Sequence, residues 1–68
     1  MDRALLVRRL TSANNGKIFI TQSQAAKILG MGKDSFRTMM VGYDYRVSGK
    51  GHAHLYLVDD VVDAVMRS

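Results

Sequence analysis

The apolar residues of the chain fall into four segments with helical spacing and two β-prone segments. The first segment, residues 2–13, places Leu5, Leu6 and Leu10 near one side of a helix and arginines elsewhere. The Asn-Asn-Gly sequence at 14–16 is typical of a helix end. Two interpretations of this helix stay open. Its leucines cover the open side of a small core, or they contact another copy or a partner protein.

Two short helices are predicted very close together, at about residues 22–29 and 33–41. Thr21 is suited to be the N-cap of the first, with Gln24 at the capping-box position, and Gly30 is suited to end it. So short a connection leaves no room for antiparallel packing. The helices should therefore cross at a steep angle, so that the first holds the second with one face outward.

The second helix of this pair has an apolar face and a polar face. Phe36, Met39 and Met40 have the spacing of a core-facing stripe. The polar side chains share the opposite side, and these are Lys33, Asp34, Arg37 and Thr38. The polar face is therefore free to bind a ligand.

The remaining chain predicts a hairpin and a last helix. Residues 43–47 and 54–58 are β-prone and flank the loop Ser-Gly-Lys-Gly-His-Ala, which is typical of a hairpin connection. Asp59 is expected to cap a helix that extends to about Met66, with further aspartates near its positive end. The expected fold is mainly α with a small β-hairpin.

Composition limits the architecture and the location. A chain of 68 residues with 47% hydrophobic content supports one core, so a single domain over residues 1–68 is expected. Cysteine is absent, which excludes disulfides and cysteine-ligated zinc sites. No apolar stretch approaches the roughly 20 residues that span a bilayer, and no signal peptide is recognisable. We therefore expect a cytoplasmic protein that does not bind membranes.

Charge is the first positive indication of function. Ten Lys and Arg against six Asp give a net charge of +4. Residues 1–57 hold nine basic and three acidic side chains, whereas residues 58–68 hold one and three. A basic surface attracts polyanions, and nucleic acid is the first of these, with anionic membranes or acidic protein surfaces as alternatives.

The sequence gives no basis for catalysis or a cofactor. His52 and His54 alternate, so a regular strand would place both on one side, but a third and fourth metal ligand are lacking. The Ser-Gly-Lys-Gly segment lacks the spacing of a phosphate-binding P-loop. No nucleophile and base are recognisable as a catalytic pair. We expect no metal, no cofactor and no enzyme activity.

Residues 22–40 resemble a bacterial helix-turn-helix: a small residue at Ala26 precedes Gly30, and apolar Met31, Phe36 and Met39 follow. Residues 45–66 resemble the wing and last helix of excisionase-like and MerR-like winged helix-turn-helix proteins, and their sequence is YRVSGKGHAHLYLVDDVVDAVM. Their loop is also similar to the wing of lambda-type phage terminase small subunits. The resemblance implies an extra N-terminal helix at 1–16 and a helix-turn-helix at 19–41. A wing at 43–58 and a C-terminal helix at 59–67 follow.

The resemblance implies binding of double-stranded DNA. The first interpretation is an excisionase, which is an architectural factor of a phage or mobile element that bends DNA and directs a recombinase toward excision. A small transcriptional regulator of the same fold is the alternative. A protein-interaction module that docks an acidic partner is an alternative of another class. A recombinase of the integrase type is a candidate partner, and cooperative self-association on DNA is expected because small domains gain affinity from adjacent sites.

The resemblance also assigns DNA-contacting residues. The helix face expected to enter the major groove consists of Lys33, Asp34, Ser35, Arg37 and Thr38. The wing residues expected at the minor groove or backbone are Arg46, Lys50, Gly51, His52 and His54. Thr21 and Gln22 lie at a helix N-terminus, which suits a phosphate. Arg37 can donate two hydrogen bonds to a guanine edge, so its loss should weaken sequence discrimination.

Overall fold

The computed structural model describes residues 2–49 and 51–67, which form four helices and one three-stranded antiparallel sheet. The helices are α1 (Arg3–Ala13), α2 (Gln22–Leu29), α3 (Lys33–Met39) and α4 (Val58–Arg67). The strands are β1 (Phe19–Thr21), β2 (Arg46–Val47) and β3 (His54–Leu57), in the order β1-β3-β2. The expectation of a mainly helical fold with a small hairpin is confirmed.

The first helix begins at an acidic cap and packs on α4. The carboxylate of Asp2 accepts a hydrogen bond from the amide of Ala4 at 3.0 Å, which satisfies one of the free donors of the first turn. Leu6 and Leu10 are buried, as the covering role of this helix requires. Leu5 is 51% exposed, so its assignment to the same apolar side was wrong.

Side-chain amides join the end of α1 to the next two elements. Asn14 is 8% exposed, and its amide donates to the carbonyl oxygens of Lys17, at 3.1 Å, and Phe19. Gln24 of α2 donates to the carbonyl of Ala13 at 2.6 Å. Gln24 thus forms one half of the predicted capping box, because its backbone amide donates to the hydroxyl of Thr21, and its side-chain amide also satisfies a free carbonyl at the end of α1.

The extended segment before α2 is a strand, which was not predicted. Its Ile20 lies opposite Tyr56 of the central strand β3, and both side chains are buried. The hairpin, defined as β2, the loop at 48–53 and β3, pairs Arg46 with Leu55 and is antiparallel as predicted. Joining β1 to the hairpin places the start of α2 beside β3.

The turn between α2 and α3 follows the prediction. Gly30 has φ +71°, in the left-handed region that favours glycine, and its amide donates to the carbonyl of Lys27. The amide of Met31 donates to the carbonyl of Ala26 at 2.9 Å. This pair of bonds is a Schellman motif, which ends α2 sharply and lets α3 begin after only three intervening residues.

The core lies between the helices and one face of the sheet. Phe36 is fully buried, and its ring meets that of Tyr56 edge to face with centroids 5.6 Å apart. Met40 is also buried, while Met39 is partly so. The buried apolar residues are Leu6, Leu10, Ile20, Ala25, Ala26, Phe36, Met40, Tyr56, Val58, Val61, Val62 and Ala64. Helix α3 ends at Met39, two residues before its predicted end.

The last helix follows β3 without a loop. It begins at Val58, which is buried and whose amide donates to the carbonyl of Ile18 at 2.8 Å. Asp59 therefore lies in the first turn, and its predicted role as N-cap was wrong. No helix within residues 2–49 and 51–67 combines the length and apolar character that crossing a bilayer requires.

Candidate nucleic-acid interface

The start of α2 is fixed by its cap. The hydroxyl of Thr21 accepts a hydrogen bond from the amide of Gln24 at 3.1 Å, which confirms Thr21 as the N-cap. Gln22, the first residue of the helix, is only 8% exposed. No hydrogen bond of its side chain occurs within the described residues. No fully buried side-chain nitrogen or oxygen of the described residues lacks a partner, so the amide of Gln22 lies at the molecular surface.

Helix α3 carries two cations on one flank. Lys33 and Arg37 are four residues apart, hence neighbours on the helix surface, and both are exposed. In the part of the chain that the structure describes, neither forms an ion pair. Their charges are therefore available to an anionic ligand.

These side chains meet the hairpin around a small cleft of about 190 Å³. We call this the basic cleft, and its described lining residues are Gln22, Ser23, Lys33, Arg37, His52, Ala53 and His54. None of them is acidic. The fold thus brings five of the predicted site residues from three separate segments to one place.

The two histidines reach the basic cleft in a way that differs from the prediction. His52 lies in the hairpin loop with φ +52°, where its amide donates to the carbonyl of Ser48 at 3.2 Å. His54 is the first residue of β3. The expected strand alternation of the pair was wrong, because the loop turns at His52. Within the described residues, no three potential metal ligands come together.

A second, aromatic cleft of about 490 Å³ adjoins the first and shares Arg37 and His54 with it. Tyr45 stacks on His54 with ring centroids 4.3 Å apart and planes 21° from parallel. Burial raises the pKa of the Tyr56 phenol, Tyr45 adds to the rise, and the charge of Arg37 opposes it. Arg37 therefore lies on the hairpin side of α3.

The other polar side chains of α3 point elsewhere. The hydroxyl of Thr38 donates to the carbonyl of Asp34 at 2.9 Å, so its proton is used inside the helix. Ser35 and Thr38 line a different cleft, which faces α4. Asp34 is exposed. The predicted binding face is therefore divided between two flanks of the helix.

Arg46 is separated from the basic cleft by the sheet. Its guanidinium lies 5.0 Å from the ring centroid of Phe19, on the side of its pairing partner Leu55. Because successive strand residues face opposite sides, Leu55 faces away from Tyr56 and His54. Gly51 is exposed in the hairpin loop. Lys50 lies outside the described residues.

Asp63 of α4 is engaged away from the basic cleft. The phenol of Tyr43 donates to Asp63 at 2.6 Å, and Asp63 also pairs with Arg67 at 3.5 Å and Arg3 at 4.0 Å. The hydrogen bond to Asp63 raises the pKa of Tyr43, and burial adds to the rise. Within the described residues, the acidic helix α4 thus contributes no carboxylate to the cleft lining.

Sequence reasoning missed two residues of the cleft lining, Ser23 and Ala53, of which Ser23 has a polar side chain. The signal for Ser23 was available, because the second residue after a confirmed N-cap lies beside the free amides of a helix start. Comparison with protein-family models, with curated proteins and with solved structures finds no match to this chain.

Proposed function

We propose that α2, α3, the hairpin and α4 form a winged helix-turn-helix domain that binds double-stranded DNA. The observation that carries the proposal is the basic cleft, where unpaired cations of α3 meet a helix start and the hairpin. Phosphate contacts of this kind supply most of the affinity of DNA-binding proteins. The net charge of +4 acts in the same direction.

The dimensions of α3 suit the proposed role. The major groove of B-DNA is about 12 Å wide, which admits a helix of about 10–12 Å diameter, and the seven residues of α3 extend about 10 Å at roughly 1.5 Å per residue. With α3 in the groove, its hairpin flank lies toward the sugar-phosphate backbone. The exposed Asp34 then faces base edges, where a carboxylate accepts from the amino group of cytosine.

Within the DNA-binding class, we propose an excisionase-type architectural factor, on the resemblance of residues 45–66 to that family. A small transcriptional regulator of the same fold is the alternative. An excision assay with an integrase-type recombinase and a promoter-reporter assay separate the two roles. Stimulated excision supports the first, and altered promoter output without it supports the second.

A protein-interaction module is the second candidate, and a specific surface favours it. A shallow, mostly apolar cleft of about 850 Å³ follows α1, lined by Ala4 and Val7 and flanked by Arg3 and Arg8. Leu5 is also half exposed on the same helix. An acidic amphipathic segment has the chemistry for such a surface. Ala4→Asp tests it without unfolding the core, because Ala4 lines this cleft and is exposed.

Binding to a 25-base-pair duplex, followed by fluorescence anisotropy, tests the DNA proposal. With about six phosphate contacts, the affinity should fall roughly a thousandfold between 50 and 200 mM salt. Lys33→Gln should weaken binding of every duplex and reduce the salt slope by about 1. Lys17→Gln removes the same charge outside the cleft and is the matched control. Equal effects of the two variants, or no binding by the wild type, would contradict the proposal.

A further inference from the structure

The basic cleft contains a hydrogen-bond donor that lacks a protein partner. Gln22 as a whole residue is only 8% exposed, yet its side chain forms no hydrogen bond within the described residues. No fully buried side-chain nitrogen or oxygen of that part of the chain lacks a partner. The Gln22 amide must therefore reach the surface of the cleft that it lines. An amide held there without a partner can donate to an oxygen atom of a ligand.

The size and charge of the cleft define the class of ligand. Lys33 and Arg37 supply two cations with no opposing carboxylate among the described lining residues. A volume of about 190 Å³ is smaller than the roughly 300–1,000 Å³ of small-molecule sites. It still equals several water molecules at about 30 Å³ each. The space suits one tetrahedral oxyanion.

Arg37 lies where the basic cleft adjoins the aromatic cleft. Arg37 lines both the basic and the aromatic clefts beside His54. Its charge also acts on Tyr56, which is buried beneath the hairpin side of α3. The centre of the exposed face of α3 is instead occupied by Asp34 and Thr38. With α3 in the major groove as proposed above, Arg37 lies beside the groove wall and not over its floor.

We propose that the basic cleft is a binding site for a single phosphate group, which Arg37 contacts together with Lys33 and Gln22. The proposal rests on the DNA-binding function above and refines it, because it replaces the guanine-reading role expected for Arg37. A guanidinium forms charge-assisted, often paired hydrogen bonds with phosphate oxygens. Arg37 then contributes affinity that is the same for every DNA sequence.

Inorganic phosphate is the probe for the first experiment. It is titrated into the ¹⁵N-labelled full chain at constant ionic strength, with chloride as the compensating anion. Saturable shifts should be confined to the amides of the cleft, including the side chain of Gln22. Arg37→Gln should weaken this binding about tenfold, as expected for the loss of a hydrogen bond to a charged group. Arg8→Gln, with the same charge change on α1, should leave it unaltered.

Shifts spread over exposed cations throughout the chain, or equal effects of Arg37→Gln and Arg8→Gln, would overturn the site. The second experiment uses a preferred and a scrambled duplex. Arg37→Gln should weaken both by the same factor, whereas a loss limited to the preferred duplex would show that Arg37 reads a base and would overturn the proposal. Phosphate binding in the cleft without binding of any duplex would support the site, identify free phosphate as its ligand and contradict the DNA-binding function instead.

Discussion

The same substitution at two glycines of one turn should change stability in opposite directions. Gly30 and Gly32 both lie between α2 and α3, and a Cβ atom at either position would meet no atom within 4 Å. Steric clash is therefore excluded at both. Their backbones differ, because Gly30 has φ +71° and Gly32 has φ −73°. Replacement of each by serine isolates the effect of backbone conformation.

The expected magnitudes follow from these angles. Gly30→Ser places an L-residue in the left-handed region, at a cost of about 1–2 kcal/mol. Gly32 is the N-cap of α3 and forms no side-chain cap bond, so Gly32→Ser adds an acceptor worth a few tenths of a kcal/mol over glycine. Serine also restricts the unfolded chain, which contributes roughly 0.4–1 kcal/mol. The two variants should therefore differ by about 2 kcal/mol.

Thermal and urea unfolding of the wild type and both variants, followed by circular dichroism, measures the difference. In a domain of this size, about 1 kcal/mol corresponds to roughly 4–8 °C in Tm. Gly30→Ser should lower the Tm and Gly32→Ser should raise it. Shifts of the same sign at both positions would refute the assignment of the turn, and with it the placement of α3 against α2.

The remaining predictions concern single polar groups. Asn14→Ala should destabilise the chain by about 1–3 kcal/mol in urea unfolding, since two carbonyls lose their donor, whereas Ser12→Ala on the exposed side of α1 should have little effect. Wild-type protein should be more stable than Tyr43→Phe below pH of about 10, the ordinary tyrosine pKa. This advantage in the free energy of unfolding should disappear as the pH rises through the raised pKa of Tyr43, because the phenolate no longer donates to Asp63. A stability difference that persists at high pH would contradict the hydrogen bond. Asp34→Asn should tighten binding to unselected duplexes by roughly fivefold at low salt, because about 1 kcal/mol of repulsion from phosphates is removed. The same variant should discriminate less between DNA sequences. Unchanged anisotropy titrations would place Asp34 outside the interface.

Local signals in the sequence predicted the parts of the fold that depend on neighbouring residues. Thr21 caps α2 and Gly30 ends it, because the requirements of a helix end are met within a few residues. Phe36 is buried because its spacing on α3 selects the core-facing side. These positions need no knowledge of the tertiary structure.

Tertiary contacts decided the positions that the sequence could not predict. The side-chain amide of Gln24 donates to the carbonyl of Ala13, which is eleven residues away, and no local pattern indicates that bond. Arg46 lies over Phe19 because β1 joins the sheet, and a three-residue strand has too weak a pattern to be foreseen. Asp59 does not cap α4, because the helix starts at Val58, directly at the end of β3. Each partner was distant in sequence or outside the predicted elements.

The residues of the basic cleft are also brought together by contacts between elements that are distant in sequence. Lys33 and Arg37 were predicted to share a helix face, and the structure places both beside the hairpin. The pattern of α3 alone could not indicate that Ser35 and Thr38 would line a different cleft, because that depends on the packing of α4. The division of the predicted face is therefore a product of the fold and not of helical periodicity.

The most direct test of DNA recognition is selection of bound sequences from a pool of random duplexes at moderate salt, followed by sequencing of the retained fraction. The account predicts retention of duplex DNA with an enriched motif, and a loss of retention in Lys33→Gln that Lys17→Gln does not share. Absence of retention by the wild-type protein would contradict the account and favour the protein-interaction function of α1.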